Sequence, residues 1–234
     1  MTRPAAMAVF PLVFLLLAAL QGPPPPNTLT AREKRAGWKL LFDGRTTAGW
    51  RGYRKPDMPA GWQVRAGALT RVASAGDIVT RRQYADFDLQ FDWKIEKGGN
   101  SGVIYHVTEA AAEPYETGPE YQVLDDANFK PDGESLLTSA GSCYGLYAIP
   151  DHLATPAGEW NHSRLLVQHG HVTHWLNGTL AVRYVVGSAD WDKRVAGSKF
   201  KAWPGFGKAK TGFIDLQDHG FVVAYRNVKI RQLR

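Results

Sequence analysis

The chain has 234 residues, a formal net charge of +6 and one cysteine. This length predicts one domain with a sizeable core, and the lone cysteine excludes a disulfide within the chain. The basic residues are scattered among acidic ones instead of being gathered on one segment, which argues against a nucleic-acid-binding protein.

Residues 1–22 have the pattern of an export signal. Arg3 precedes an apolar run from Ala5 to Leu20, after which four prolines follow. A short positive end before such a run is typical of a secretory signal peptide. The run is short for a membrane span and contains Pro11. We therefore expect a secreted or periplasmic protein with no membrane span in its mature chain.

A Pro-rich linker at residues 23–35 is predicted to lead into one folded domain at residues 36–234. In this domain apolar and polar residues alternate without exception from Phe87 to Ile95. This pattern indicates a long strand with one buried face and one solvent-exposed face. His171 to Val185 forms two such runs joined by Asn177-Gly178, the strongest hairpin turn signal. Shorter runs predict further strands at 38–42, 62–64, 68–72, 77–80, 102–107, 120–125, 143–149, 164–169, 211–217 and 221–233.

Helical periodicity is nearly absent from the domain. The exception is Ser188 to Phe200, where Ser188 is a plausible N-cap and Trp191 and Val195 are spaced for one face. Many short strands with one short helix predict an all-β protein, an antiparallel sandwich or barrel.

Two of the predicted strands carry polar side chains on a face that could form a site. Glu120 and Gln122 share one face of the first strand, and Asp215, Gln217 and His219 share one face of the second. Carboxylates and amides suit the vicinal hydroxyls of a sugar. Pattern alone leaves two interpretations open, a solvated outer face or the floor of a binding site.

Other features point less clearly to chemistry. No phosphate-binding loop, dinucleotide fingerprint or zinc motif is present in the sequence. The histidines between His169 and His174 are expected at the surface instead of on a metal, and Cys143 is expected to be a small buried apolar residue. Four tryptophans near predicted strand ends could be core residues or sugar platforms: Trp50, Trp62, Trp160 and Trp203.

Seven blocks in colinear order then carry a family resemblance. They are KLLFDGRTTAGW (39–50), GGNSGVIYHV (98–107), GPEYQVLDD (118–126), EWN (159–161), HWLNG (174–178), DLQDHG (215–220) and YRNVKI (225–230). Through them the sequence resembles the DUF1080 family, described as 3-keto-disaccharide hydrolases, over roughly residues 36–233. The resemblance implies a concanavalin A-like jelly roll of two antiparallel sheets, with saccharide held on a concave face.

The same resemblance implies cleavage of a glycoside whose sugar carries a ketone at C3. Because the ketone acidifies the C2 hydrogen, the expected route is proton removal at C2, elimination of the C1 substituent and hydration of the enone. Carried onto matching positions, Glu120 and His219 are the predicted catalytic residues, since histidine exchanges protons near neutral pH. The predicted substrate-binding residues are Asn100, Tyr105, Gln122, Tyr144, Asp125, Gln217 and Asp218.

No cofactor is required by the sequence. A divalent metal at the C3 oxygen would serve as the electrophile, but no ligand spacing demands one. Two other functions stay open, a non-catalytic lectin-like module and an ordinary glycosidase with two carboxylates across one cleft. A sugar 3-dehydrogenase that makes the ketone is the expected functional partner. The aglycone, the anomeric preference, the oligomeric state and the choice between elimination and direct hydrolysis are not fixed by the sequence.

Overall fold

The structure is a computed structural model that describes residues 24–129 and 135–233. The predicted signal peptide lies outside the described residues. No helix within the described ranges is long and apolar enough to cross a membrane.

Thirteen strands, two α-helices and two 3₁₀ helices make up the described chain. They are α1 (Ala31–Arg35), β1 (Lys39–Leu40), β2 (Trp50–Gly52), β3 (Trp62–Arg65), β4 (Ala68–Arg71), β5 (Ile78–Thr80), β6 (Phe87–Ile95), β7 (Asn100–Val107), the 3₁₀ helix Pro114–Glu116, β8 (Glu120–Leu124), β9 (Asn161–Gln168), β10 (His171–Leu176), β11 (Thr179–Val185), α2 (Ala189–Ala196), the 3₁₀ helix Lys199–Ala202, β12 (Phe213–Leu216) and β13 (Val223–Gln232).

The strands form two antiparallel sheets. The eight-stranded sheet has the order β11-β10-β9-β6-β13-β4-β3, with β1 also paired to β13, and the five-stranded sheet has the order β2-β5-β12-β7-β8. The hairpin predicted at Asn177-Gly178 is confirmed, because both residues adopt the positive φ that its turn requires (50° and 83°). The all-β antiparallel sandwich predicted from the sequence is therefore the observed fold.

Aromatic and aliphatic side chains from both sheets fill the space between them. The rings of Phe91 in β6 and Tyr121 in β8 meet edge to face, with centroids 5.4 Å apart. The hydroxyl of Ser163 accepts hydrogen bonds from Trp93 Nε1 (2.9 Å) and from the Tyr121 hydroxyl (2.8 Å). Because Tyr121 and Val123 point into this core, their neighbours Glu120 and Gln122 lie on the outer face of the five-stranded sheet.

Several predictions about local structure were wrong. Residues 143–149 form no strand and make only isolated bridges at Cys143, whereas β2 was not predicted. The segment predicted as a linker contains α1, which begins with a capping box at Thr30, and its Asn27 exchanges hydrogen bonds with Asn227. His174 is fully buried instead of exposed, and bonds to the Tyr184 hydroxyl.

The polar face of β6 is also less exposed to solvent than predicted. Asp88 is 1% exposed, because Arg164 and Arg231 both donate to its carboxylate. A strand face with carboxylates on it can therefore be covered by basic side chains from neighbouring strands.

Candidate active site

A pocket of about 320 Å³ opens on the outer face of the five-stranded sheet. Its described lining residues are Asn100, Tyr115, Glu120, Gln122, Tyr144, Lys199, Phe200, Trp203, Gln217 and His219. Six of them were predicted site residues: Asn100, Glu120, Gln122, Tyr144, Gln217 and His219. The two strands singled out from the sequence thus contribute to one pocket.

Strand pairing brings the floor residues together. Gln122 in β8 is paired with Gly102 in β7, and the backbone N–H of Gln217 donates to the Gly102 carbonyl from the other side (3.0 Å). Directly paired residues project from the same face of a sheet. Gln122 and Gln217 therefore flank Gly102 on the outer face.

Gly102 leaves room for the Glu120 carboxylate. A Cβ atom at position 102 would overlap Glu120 Oε1, so the glutamate side chain lies directly over the glycine. A larger residue there would have to displace the carboxylate. The absence of a side chain at Gly102 is therefore part of the pocket's shape.

A loop covers the outer edge of β8 and fixes the polar side chains there. The N–H of Tyr144 donates to the Glu120 carbonyl (3.1 Å), and the N–H of Gln122 donates to the Ser142 carbonyl (3.2 Å). The side-chain amide of Gln122 donates to the Thr138 carbonyl (3.1 Å), which orients that amide. These bonds place Tyr144 next to Glu120 at the pocket wall.

Several floor oxygens are buried and have no hydrogen-bond partner in the described residues. They are Asn100 Oδ1, Gln122 Oε1, Gln217 Oε1 and both carboxylate oxygens of Asp215. Buried acceptors without partners are costly, so such a group in a pocket indicates a missing donor. Three of these oxygens belong to lining residues, and sugar hydroxyls would supply the donors they lack.

Glu120 is the acidic residue of the pocket lining, and its pKa is strongly shifted. Burial raises the pKa of Glu120 to about 8, the charge of Asp77 adds to the rise, and the Lys199 ammonium opposes it. Among the described lining residues, Glu120 is the only carboxylate. A single acid that exchanges its proton near neutral pH is suited to general acid-base catalysis.

Two further acids lie close to Glu120. Asp215 is fully buried in β12, opposite Ile104, which is itself paired with Glu120. Burial, and then the charges of Asp77 and Glu120, raise the pKa of Asp215 well above its usual range. Burial also raises the pKa of Asp77 to about 7. Negative charge is thus disfavoured over this whole part of the sheet, which favours the protonated form of Glu120.

His219 lies at the exposed rim, on a turn held by an ion pair. Its ring is 6.3 Å from that of Phe129 and is stacked on Phe221 at the same centroid distance. The preceding residue, Asp218, forms an ion pair with Arg71, whose Nε lies 2.7 Å from Oδ1, and accepts hydrogen bonds from the N–H groups of residues 75, 76 and 220. Burial alone would raise the pKa of Asp218, but these donors and Arg71 outweigh it and the net shift is downward.

The structure does not bring three predicted site residues to the pocket. The Tyr105 ring is buried in the core, where its hydroxyl bonds to that of Tyr184 (2.9 Å). Asp125 accepts hydrogen bonds from the Gly98 N–H (2.7 Å) and the Asn128 amide (2.8 Å), and so stabilises the turn between β6 and β7. Asp218 holds the turn that carries His219, as described above.

Four lining residues were not predicted as site residues from the sequence. Tyr115 and Trp203 meet edge to face with centroids 5.5 Å apart, and Phe200 and Lys199 complete that wall. Trp203 was one of the tryptophans left open between core and sugar platform, and it lines the pocket. The other three lie on 3₁₀ helices in long connections, and the helix predicted from Ser188 to Phe200 ends at Ala196, so its apolar spacing does not extend to Lys199 and Phe200.

Comparison with known proteins identifies the family. Residues 37–231 match the family described as 3-keto-alpha-glucoside-1,2-lyase-like domain. This chain belongs to that family. A 3-keto-disaccharide hydrolase from Bacteroides thetaiotaomicron is 33% identical over 229 residues, which cover 84% of this chain and 79% of that protein. Membership of the 3-keto-alpha-glucoside-1,2-lyase-like family makes the protein a glycoside hydrolase or lyase.

Solved structures agree with this family and fold. A candidate glycosyl hydrolase from Parabacteroides distasonis aligns with a TM-score of 0.84 and 40% identity, over 90% of this chain and 100% of that chain. A protein of unknown function with a galectin-like fold from Bacillus subtilis aligns with a TM-score of 0.50 and 11% identity, over 89% of this chain and 94% of that chain. The second likeness is one of fold alone, and it agrees with the predicted jelly roll.

Proposed function

We propose that the protein cleaves the glycosidic bond of 3-keto-glycosides, including 3-keto-disaccharides, by proton removal at C2, elimination and hydration. The observation that carries this proposal is the single pocket carboxylate, Glu120, set among buried acceptor oxygens that lack donors. An ordinary glycosidase uses two carboxylates across its cleft. The described lining offers only one, which suits a reaction that needs one base at C2.

The reaction balances with these residues. In our proposal Glu120 takes the C2 proton, and the electrons of the C–H bond pass to the C3 oxygen as an enolate. The enolate then expels the C1 oxygen, which takes a proton from His219, and a C1–C2 double bond forms. Water adds its hydroxyl to C1 and its proton to C2, and Glu120 releases its proton to solvent while His219 takes one from solvent, so both groups are restored and the net change is hydrolysis.

The floor amides are proposed to hold the sugar ring. Asn100, Gln122 and Gln217 have acceptor oxygens available for hydroxyl donors. Residues two apart on a strand are about 6.5 to 7 Å apart, so Glu120 and Gln122 can contact different atoms of one ring. Tyr144 is proposed to stack on the ring or to donate to it, and Trp203 to cover its C–H face.

Two wider proposals go with this function. The leader pattern at residues 1–22 supports a secreted or periplasmic enzyme. A substrate with a ketone at C3 implies an oxidoreductase that produces it, which is the sugar 3-dehydrogenase expected as a functional partner. Cell fractionation with N-terminal sequencing tests the first, since a cytoplasmic protein that retains its leader would contradict it.

The activity is tested with matched substrates. The purified protein is incubated with 3-keto-trehalose, a 3-keto-glucoside and both unoxidised parent sugars, with and without EDTA, and products are followed by NMR. We expect monosaccharide from the keto forms alone, and loss of turnover in Glu120→Gln but not in Glu159→Gln, whose carboxylate is exposed. Cleavage of the parents would favour an ordinary glycosidase, and binding without cleavage would favour a lectin-like module. Loss of activity with EDTA would assign the electrophile to a divalent metal.

A further inference from the structure

The proposed reaction needs a stabilising group at the C3 oxygen, where negative charge develops. A neutral amide N–H can donate a hydrogen bond to this oxygen, but a cation stabilises an enolate more strongly. Among the described residues that line the pocket, Lys199 is the only lysine or arginine. It was not singled out as a site residue from the sequence.

Lys199 lies where it can act on the same ligand as Glu120. Its ammonium sits over the Tyr144 ring, 4.4 Å from the centroid, and 3.4 Å from the Tyr144 hydroxyl. Tyr144 in turn donates its backbone N–H to the Glu120 carbonyl. Lys199 is also the positive charge that opposes the rise in the pKa of Glu120. The base and the cation therefore share one wall of the pocket.

The backbone that carries Lys199 is held firmly. Ser198 caps the 3₁₀ helix by accepting from the Phe200 N–H (3.2 Å). Phe200 is buried and stacks on Phe206 with centroids 4.2 Å apart. The Lys199 side chain itself is exposed and extends from this fixed backbone. Its ammonium can therefore move from the Tyr144 ring to a ligand oxygen.

We propose that Lys199 is a catalytic residue whose ammonium binds the C3 oxygen of the keto sugar and stabilises the enolate. This inference rests on the proposed function. As Glu120 removes the C2 proton, the electron pair moves to the C3 oxygen beside the ammonium. The pair returns when the C1 oxygen leaves, and Lys199 keeps all its protons throughout. The interaction is strongest in the transition state, so it acts on kcat more than on binding.

The test compares Lys199→Met and Lys199→Arg with Lys201→Met. Lys201 is exposed on the same 3₁₀ helix but is not among the lining residues, so it is the matched control. Turnover of a 3-keto-glucoside and affinity for the unoxidised parent sugar are measured for each. We expect Lys199→Met to lower kcat by about a hundredfold and Lys199→Arg to recover about tenfold of that loss, because it keeps the charge. The control keeps its kcat, and parent-sugar affinity changes by less than about twofold in every variant.

Three outcomes of this test would overturn the inference, as would the loss of activity with EDTA described above. The first is a kcat for Lys199→Met within about threefold of the unmutated enzyme. The second is a Lys199→Arg no more active than Lys199→Met. The third is a loss of parent-sugar affinity as large as the loss of kcat. Lys199 would then bind the sugar in its ground state instead of stabilising the enolate. Failure of the unmutated enzyme to act on any keto sugar would instead overturn the proposed function, and this inference with it.

Discussion

Replacing Glu120 by glutamine should change how stability depends on pH. Burial raises the pKa of Glu120 from 4.5 to about 8, so between these values the folded chain holds a proton that the unfolded chain has lost. The free energy of unfolding must then fall as pH rises through this window, and level off above about pH 8. Glu120→Gln lacks this proton, so it should gain stability over the unmutated protein as pH rises, on the order of a few kcal/mol by pH 9.

Urea unfolding at pH 5, 7 and 9 measures this difference directly. Glu159→Gln is the control, since Glu159 is exposed and lies outside the pocket lining. The pH dependence of activity in the unmutated enzyme should report ionisation of the same Glu120 carboxyl group. With a pKa near 8, Glu120 is about one tenth ionised at pH 7 and about nine tenths at pH 9, so kcat/KM for an aryl 3-keto-glucoside, whose phenolate leaving group needs no proton from His219, should rise about tenfold between them. A stability difference independent of pH would refute the reasoning, as would a flat rate profile.

Three other substitutions test the site and its surroundings. Gly102→Ala should lower kcat/KM by about a hundredfold in kinetic assays while the protein stays folded, because the added methyl overlaps the Glu120 carboxylate. Arg71→Ala should lower the free energy of unfolding by about 3 kcal/mol in urea titrations, because it leaves the buried Asp218 carboxylate without its cation. It should also lower turnover, since that turn carries His219, the proposed acid. Tyr105→Phe should cost about 1 kcal/mol of stability and leave turnover unchanged, because its hydroxyl lies in the core.

Each of these has its own control. Gly205→Ala is the match for Gly102→Ala, because a methyl at position 205 meets nothing closer than 4.0 Å and the backbone there has no positive φ. Full turnover in Gly102→Ala would show that the carboxylate position is not critical. Arg71→Lys should recover part of the stability lost in Arg71→Ala, and no recovery would argue against a charge effect. A large drop in the turnover of Tyr105→Phe would indicate that the Tyr105 hydroxyl takes part in the site after all.

Alternation along the strands explains why the sheet and the floor of the pocket could be predicted. Glu120 and Gln122 have the same parity, as do Gln217 and His219, and each pair lies on the outer face. The same rule separates Tyr105 from Asn100, whose positions differ by an odd number on one strand. Their parity therefore placed Tyr105 on the core face, although its residue type suited a site.

The walls of the pocket could not be predicted in this way. Lys199 and Trp203 reach it because Phe200 between them is buried against Phe206, a contact between residues in a connection without regular strands. Such tertiary packing leaves no period in the sequence. For the same reason the apolar run that begins at Cys143 was mistaken for a strand, whereas it is a loop that bonds to the edge of β8.

The fate of the C2 hydrogen tests the central claim most directly. The enzyme is given a 3-keto-glucoside in deuterated water, and the released 3-keto sugar is analysed by NMR at short times against product incubated without enzyme. Removal of the C2 proton by Glu120 followed by hydration predicts one deuterium at C2 in every released molecule, above the spontaneous exchange. Release of a sugar that keeps its C2 hydrogen would contradict the account, because the glycosidic bond would then be cleaved without the elimination step.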